Sequence, residues 1–157
     1  MAHIKENKMK RYIIGLMMLL TASALPLVAQ DINKRNISIG MFDDKTGLSF
    51  IGYTYDIRQT EMDEFFIGGG TMIVGFTGSV GWKHYYKRSK LSFYSVFSGQ
   101  GVIHMGFYGL MPSASFGLEY NLSKRTQVKI GGMGAILLDG SSVDAGVLPF
   151  VGLNFRR

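Results

Sequence analysis

The chain has 157 residues, no cysteine, and 17 basic against 11 acidic side chains, a formal net charge of +6. Without cysteine, a disulfide framework, a thiolate metal centre and a cysteine nucleophile are excluded. Lys5, Lys8, Lys10, Arg11 and Glu6 all fall in the first eleven residues, so the remainder holds 13 basic and 10 acidic side chains, a net +3 spread mainly over turns. With no basic stripe and no recognisable motif, nucleic acid is not expected as a partner.

The N-terminal basic cluster is followed by nineteen uncharged residues, Tyr12 to Gln30, containing Ile13-Ile14 and Leu16-Met17-Met18-Leu19-Leu20, with Pro26 and small residues at the exit. That order predicts a signal peptide over 1–30, cut after Ala29 or Gln30, with Met9 an alternative start to Met1. A retained membrane anchor is the other reading of this segment. The remainder, 31–157, is long enough for a single domain.

Eight strand-like runs follow, near 36–42, 47–58, 63–73, 76–87, 90–104, 111–122, 126–138 and 146–156. Alternation is clearest around Ser123-Lys124-Arg125: Ala114, Phe116, Leu118, Tyr120 and Leu122 alternate with small or polar residues before it, Val128 and Ile130 with Gln127 and Lys129 after it. A two-residue period places apolar and polar side chains on opposite faces of a strand. The lengths suit tilted strands crossing a bilayer, about 9–11 residues each. The fifth run alternates loosely, which predicts a bulge near Gly99-Gln100-Gly101.

The connections are of two alternating kinds. Those around 58–63, 87–90 and 123–125 are densely charged and are expected as periplasmic turns. Asp43-Asp44-Lys45-Thr46-Gly47, the link near Val74-Gly75, Met105 to Leu110 and Asp139 to Gly146 are expected as outer loops. The resulting fold class is an all-β, eight-stranded antiparallel up-and-down transmembrane barrel. Phe65 to Trp82 is uncharged over eighteen residues, but its six glycines argue against a helix. A soluble eight-stranded calyx of lipocalin type shares the strand count. Against it stand the sparse charge of the polar face, where the sixth run offers Glu119 alone, and aromatic residues gathered near strand ends. These include Phe65, Phe66, Tyr85, Phe93 and Tyr94, and the girdle itself is assigned to Tyr53, Tyr55, Trp82, Tyr86, Tyr120 and Phe155.

The hairpin Phe116-Gly117-Leu118-Glu119-Tyr120-Asn121-Leu122-Ser123-Lys124-Arg125 and the ending Val151-Gly152-Leu153-Asn154-Phe155-Arg156-Arg157 resemble small outer-membrane β-barrel proteins of Gram-negative bacteria. The resemblance implies an outer-membrane location. It also implies contact with outer-membrane lipid and lipopolysaccharide, and insertion by the barrel-assembly machinery. In that family the final strand commonly ends on an aromatic residue, whereas here Phe155 is followed by two arginines.

Catalytic chemistry has few candidates. His84, His104, Glu119 and serines are the raw material of a hydrolase, which needs a serine bonded to a histidine oriented by a carboxylate. His104 belongs near one rim and Glu119 near the other, and His84 reads as a neighbour of Trp82 and Tyr86. No cofactor or metal is implied. Glu119 is instead expected opposite Lys129 in a structural charge network inside the lumen, joined by Lys83, Asp56 and Arg58, which share the inward parity. The reading is a monomeric, non-enzymatic outer-membrane barrel with an envelope-structural or surface-interaction role. The alternatives are a lipid-modifying enzyme, a narrow channel or a periplasmic carrier.

Overall fold

The structure, a computed structural model, describes residues 34–73, 75–104, 107–139 and 142–157. The segment assigned to the signal peptide, with its cleavage point, lies outside the described residues. Eight strands run in chain order: β1 (Arg35–Met41), β2 (Ile51–Gln59), β3 (Asp63–Thr71), β4 (Gly75–Tyr85), β5 (Leu91–His104), β6 (Phe107–Asn121), β7 (Thr126–Leu138) and β8 (Val143–Arg156). Each pairs antiparallel with its chain neighbours, and β1 closes the barrel on β8 from Asn36 opposite Arg156 to Met41 opposite Val151, while the first half of β8 rises beyond the short β1. The uncharged stretch from Phe65 to Trp82 is the β3–β4 hairpin. No helix among the described residues is long and apolar enough to cross a membrane.

Two rims follow from this topology. The turn rim holds the ends of β1 and β8 and the tight β2–β3, β4–β5 and β6–β7 connections; the loop rim holds the other four. The wall is uneven, because β1 to β4 have 7 to 11 residues and β5 to β8 have 13 to 15.

Three expectations need correction. First, β2 begins at Ile51 rather than 47, because Phe42 to Ser49 leave the wall; Phe50 rejoins it, its backbone bonded to Gly40 at 3.0 Å and Thr71 at 2.9 Å. Second, the bulge is not at Gly99-Gln100-Gly101, where β5 keeps one register with both neighbours. Pairing slips instead between Asp56 and Arg58 on β2. The fifth run alternates loosely because Tyr94, Val96 and Val102 are apolar residues turned into the lumen. Third, β6 starts at Phe107, earlier than expected, because Gly109 carries no side chain from which a period can be read.

The faces are reversed relative to a soluble barrel. Ile39, Ile51, Tyr53, Ile67, Phe76, Val80, Leu91, Phe97, Leu110, Phe116, Ile130, Val147 and Val151 are all exposed on the outer face. Facing inward are Ser, Thr, Asn, Gln and charged residues, with one apolar cluster of Phe66, Tyr85, Tyr94, Val96, Met133 and Phe150.

Glycines make room for that cluster. A Cβ on Gly131 would lie 2.2 Å from the Phe116 carbonyl oxygen and 2.5 Å from the Phe150 ring, whereas one on neighbouring Gly132 would meet nothing within 4 Å. Gly131→Ala should therefore lower the denaturant unfolding midpoint, with a loss of about 1–3 kcal/mol from overpacking. Gly132→Ala should leave it within about 0.5 kcal/mol.

Candidate functional site

The connection from β1 to β2 bends over the low side of the wall and enters the lumen. Asp43-Asp44-Lys45-Thr46-Gly47, expected as an outer loop, is a buried plug. Its shape follows from local chemistry. Asp43 and Gly47 exchange backbone hydrogen bonds of 2.9 and 2.8 Å, and the Asp43 carboxylate accepts from the backbone N–H groups of Lys45 and Thr46, each at 2.9 Å. Gly47 closes the turn at φ +68°, a left-handed conformation that glycine adopts without a Cβ penalty. The turn is anchored to the wall by the Thr77 hydroxyl, which donates to the Thr46 carbonyl at 2.9 Å.

The plug's side chains complete an ionic chain of alternating sign. Lys45 lies 2.8 Å from Asp56 and 2.9 Å from Glu64; Glu64 accepts Arg88 at 2.7 Å and Arg156 at 3.1 Å. Arg156 is 3.7 Å from Glu119, which holds Lys83 at 2.8 Å. Lys83 reaches Asp44 at 3.3 Å; Asp44 pairs with Lys129, and Lys129 lies 3.1 Å from Asp43. Lys45, Lys83, Arg88, Lys129 and Arg156 thus face Asp43, Asp44, Asp56, Glu64 and Glu119, five charges of each sign and a net of zero. Neutrality depends on the plug. Lys129 has no other carboxylate partner among the described residues.

Neutral groups satisfy part of the remaining capacity of these charges, leaving the buried Nε groups of Arg88 and Arg156 without a protein partner. Asn36 donates to Asp56 at 2.9 Å, Gln127 to Glu119 at 2.6 Å and the Tyr85 hydroxyl to Glu119 at 3.1 Å. The Lys83 ammonium also sits 3.6 Å from the Tyr94 ring centroid, and Lys45 lies 4.9 Å from that of Phe66. Burying a charge is tolerable only with such partners. At this level the lumen is filled. The recess by the turn rim, lined by residues including Tyr85, Arg88, Glu119 and Arg156, has a volume of about 50 Å³, room for one or two waters.

The expected network is only partly the observed one. Asp56, Lys83, Glu119 and Lys129 all point into the lumen, and Glu119 stands opposite Lys129 in register. Glu119 and Lys129 are nonetheless not paired with each other: the plug's carboxylates take Lys129, and Glu119 takes Lys83. Arg58 is not a member. The slip after Asp56 reverses its parity and leaves it exposed on the outer face. Asp43, Asp44, Lys45, Glu64, Arg88 and Arg156 were missing from the expectation. Glu64 and Arg156 could have been found by extending the inward parity of Phe66 and Asn154; the plug residues lie outside any strand period.

Aromatic residues also separate by face. Tyr53, Tyr55, Tyr86 and Tyr120 are exposed on the outer wall, with Trp82 and Phe155 half-buried there. Trp82 stacks with Phe97 at 5.9 Å and Phe65 at 6.4 Å, and Tyr86 with Phe93 at 5.2 Å, all toward the turn rim. Phe66, Tyr85 and Tyr94 instead turn inward, because adjacent residues in a strand face opposite ways. Tyr53 and Tyr55 lie along β2 rather than at its end.

His84 accompanies this outer cluster, 5.7 Å from Trp82 and 5.2 Å from Tyr86 by ring centroid. Its Nδ1 is 2.8 Å from the Asp63 carboxylate, which also accepts from the Trp82 indole at 2.8 Å. Ser95 stands across from His84 in register, yet its hydroxyl is bonded to Tyr86 at 3.4 Å. Among the described residues His84 makes no hydrogen bond to a serine, so a nucleophile–base pair is not formed there. His104 and Glu119 are twelve register positions apart, opposite Phe107 and Ser92 respectively, or about 40 Å along the strands.

Three substitutions separate network from surface. Lys45→Met leaves Asp56 and Glu64 short of their shared cation and should cost about 3–5 kcal/mol of unfolding free energy; Glu119→Ala should likewise lower the unfolding midpoint. Arg58→Ala should change it by no more than about 0.5 kcal/mol. Denaturant titration followed by loss of folded-state gel migration measures all three.

No protein-family model matches this sequence, and no curated protein matches it. Among solved structures, the N-terminal β-barrel domain of Pseudomonas aeruginosa OprF is similar at a TM-score of 0.47 and 14% sequence identity, over 81% of this chain and 100% of that chain.

Proposed function

We propose that the chain is a non-enzymatic outer-membrane β-barrel protein whose role is envelope-structural or surface-interacting. The observation that carries this reading is the reversal of faces: an apolar outer wall around a closed sheet whose charges lie inside. In water such an outer wall would expose far more contiguous apolar surface than soluble proteins tolerate. In a bilayer a closed sheet pairs strand backbone with strand backbone, which is the condition for spanning with strands. Short turns on the rim that carries both strand ends favour a periplasmic turn rim and an external loop rim. The aromatic cluster of Phe65, Trp82, Tyr86, Phe93 and Phe97 then occupies the inner interface as part of a girdle.

The packed, ion-paired lumen favours this reading over a pore for solutes. Membrane fractionation of cells expressing the chain should place it in the outer membrane. There it should migrate faster before boiling than after, as a folded barrel does; recovery in the soluble periplasm with no heat-dependent shift would defeat the membrane reading. Lipid analysis of cells with and without the protein should show the same acylation pattern, and an altered pattern would replace the structural role with an enzymatic one.

A further inference from the structure

Charge that is not in the lumen is divided unevenly between the rims. At the turn rim stand Lys34, Arg35 and Arg157 by the paired ends of β1 and β8, Arg58 at the end of β2, Lys87 and Lys90 between β4 and β5, and Lys124 and Arg125 between β6 and β7. Glu61 and Asp63 are the acidic residues there, so eight basic less two acidic side chains give +6. Among the described residues the loop rim carries Asp139 and Asp144 and neither lysine nor arginine. We propose that this collar binds the headgroups of anionic phospholipids in the leaflet at the turn rim, and so gives the barrel one preferred leaflet. The inference rests on the membrane-barrel reading above.

Three observations choose lipid as the occupant. The basic residues stand at the paired ends of β1 and β8, in the β4–β5 and β6–β7 connections and, through Arg58, beside the β2–β3 connection, so they are distributed around the circumference. A folded protein partner would meet one side of such a ring, whereas the surrounding lipid meets all of it. The collar also adjoins the apolar wall directly. The Lys90 ammonium lies 5.4 Å from the Tyr120 ring centroid, and Lys87 follows Tyr86, which stacks on Phe93. Long basic side chains beside interfacial rings lay their stems on apolar surface and hold their charge at headgroup level. Finally, the slip in β2 turns Arg58 out of the lumen, where its charge would disturb a neutral network, and onto this ring. Bulges re-aim side chains in this way.

The test is lipid selectivity at the barrel surface. The purified full chain is placed in phosphatidylcholine vesicles, and the association of spin-labelled phosphatidylglycerol with its boundary is compared with that of spin-labelled phosphatidylcholine. One basic side chain near an anionic surface favours the anion about fivefold, so a preference of about that size is expected at low ionic strength. It should collapse in 1 M salt, where the screening length falls to about 3 Å. Replacing all eight collar residues, Lys34, Arg35, Arg58, Lys87, Lys90, Lys124, Arg125 and Arg157, together with glutamine should bring it below about twofold, while heat-dependent gel migration reports whether the variant still folds. If that variant does not fold, the salt dependence of the unaltered chain decides. Equal association of the two lipids with a folded, inserted barrel overturns the collar and leaves the membrane reading standing; failure to insert into any bilayer overturns both.

Discussion

The structure depends on the requirement that a buried charge find a partner. Ten ionised side chains occupy the lumen of an eight-stranded barrel, whose bore is only wide enough for its own side chains. They are tolerable there because they form one continuous chain of alternating sign. The β1–β2 connection is drawn inside because the wall alone is unbalanced. Without Asp43, Asp44 and Lys45 the wall holds four cations against three carboxylates, and Lys129 faces no counter-ion among the described residues. The turn that presents these three residues is in turn closed by Gly47 and by the Asp43 carboxylate capping its own backbone.

Such a network is poor evidence of high stability in itself, since well-packed apolar residues often do as well as a buried ion pair. Its effect here is specificity. A strand shifted by one residue would send its charges into the outer wall and its apolar side chains into the lumen. Lys83 between Glu119 and Asp44, and Glu64 between Lys45 and Arg156, each tie together elements distant in sequence. A wrong register therefore breaks several pairs at once.

Much of the wall was legible from alternation, because a half-apolar strand writes its period directly into the sequence. The hairpin from Phe116 to Ile130 is the clearest case: its pairing places Glu119 opposite Lys129 as expected. The charge partners were not legible, for two physical reasons. Register gives the nearest Cα atoms, while a lysine reaches several ångströms beyond its own strand to whichever carboxylate is least solvated. And parity is valid only until a bulge, so the slip after Asp56 moved Arg58 to the opposite face. The plug was hidden for another reason. Asp-Asp-Lys-Thr-Gly has the composition of any exposed turn, and only the unbalanced charge of the closed lumen draws it inside.

The inward plug is thus the point on which the account stands or falls, and the native chain permits a direct measurement. Lysine acylation by a water-soluble amine reagent, applied to the folded chain in detergent and read by mass spectrometry, compares the three lumen lysines with those of the turn rim. Lys45, Lys83 and Lys129 are almost wholly buried, while Lys87, Lys90 and Lys124 are exposed. The account predicts rapid modification of the second group and protection of the first until the barrel is unfolded. Modification of Lys45 in the folded barrel as fast as Lys87 would contradict it.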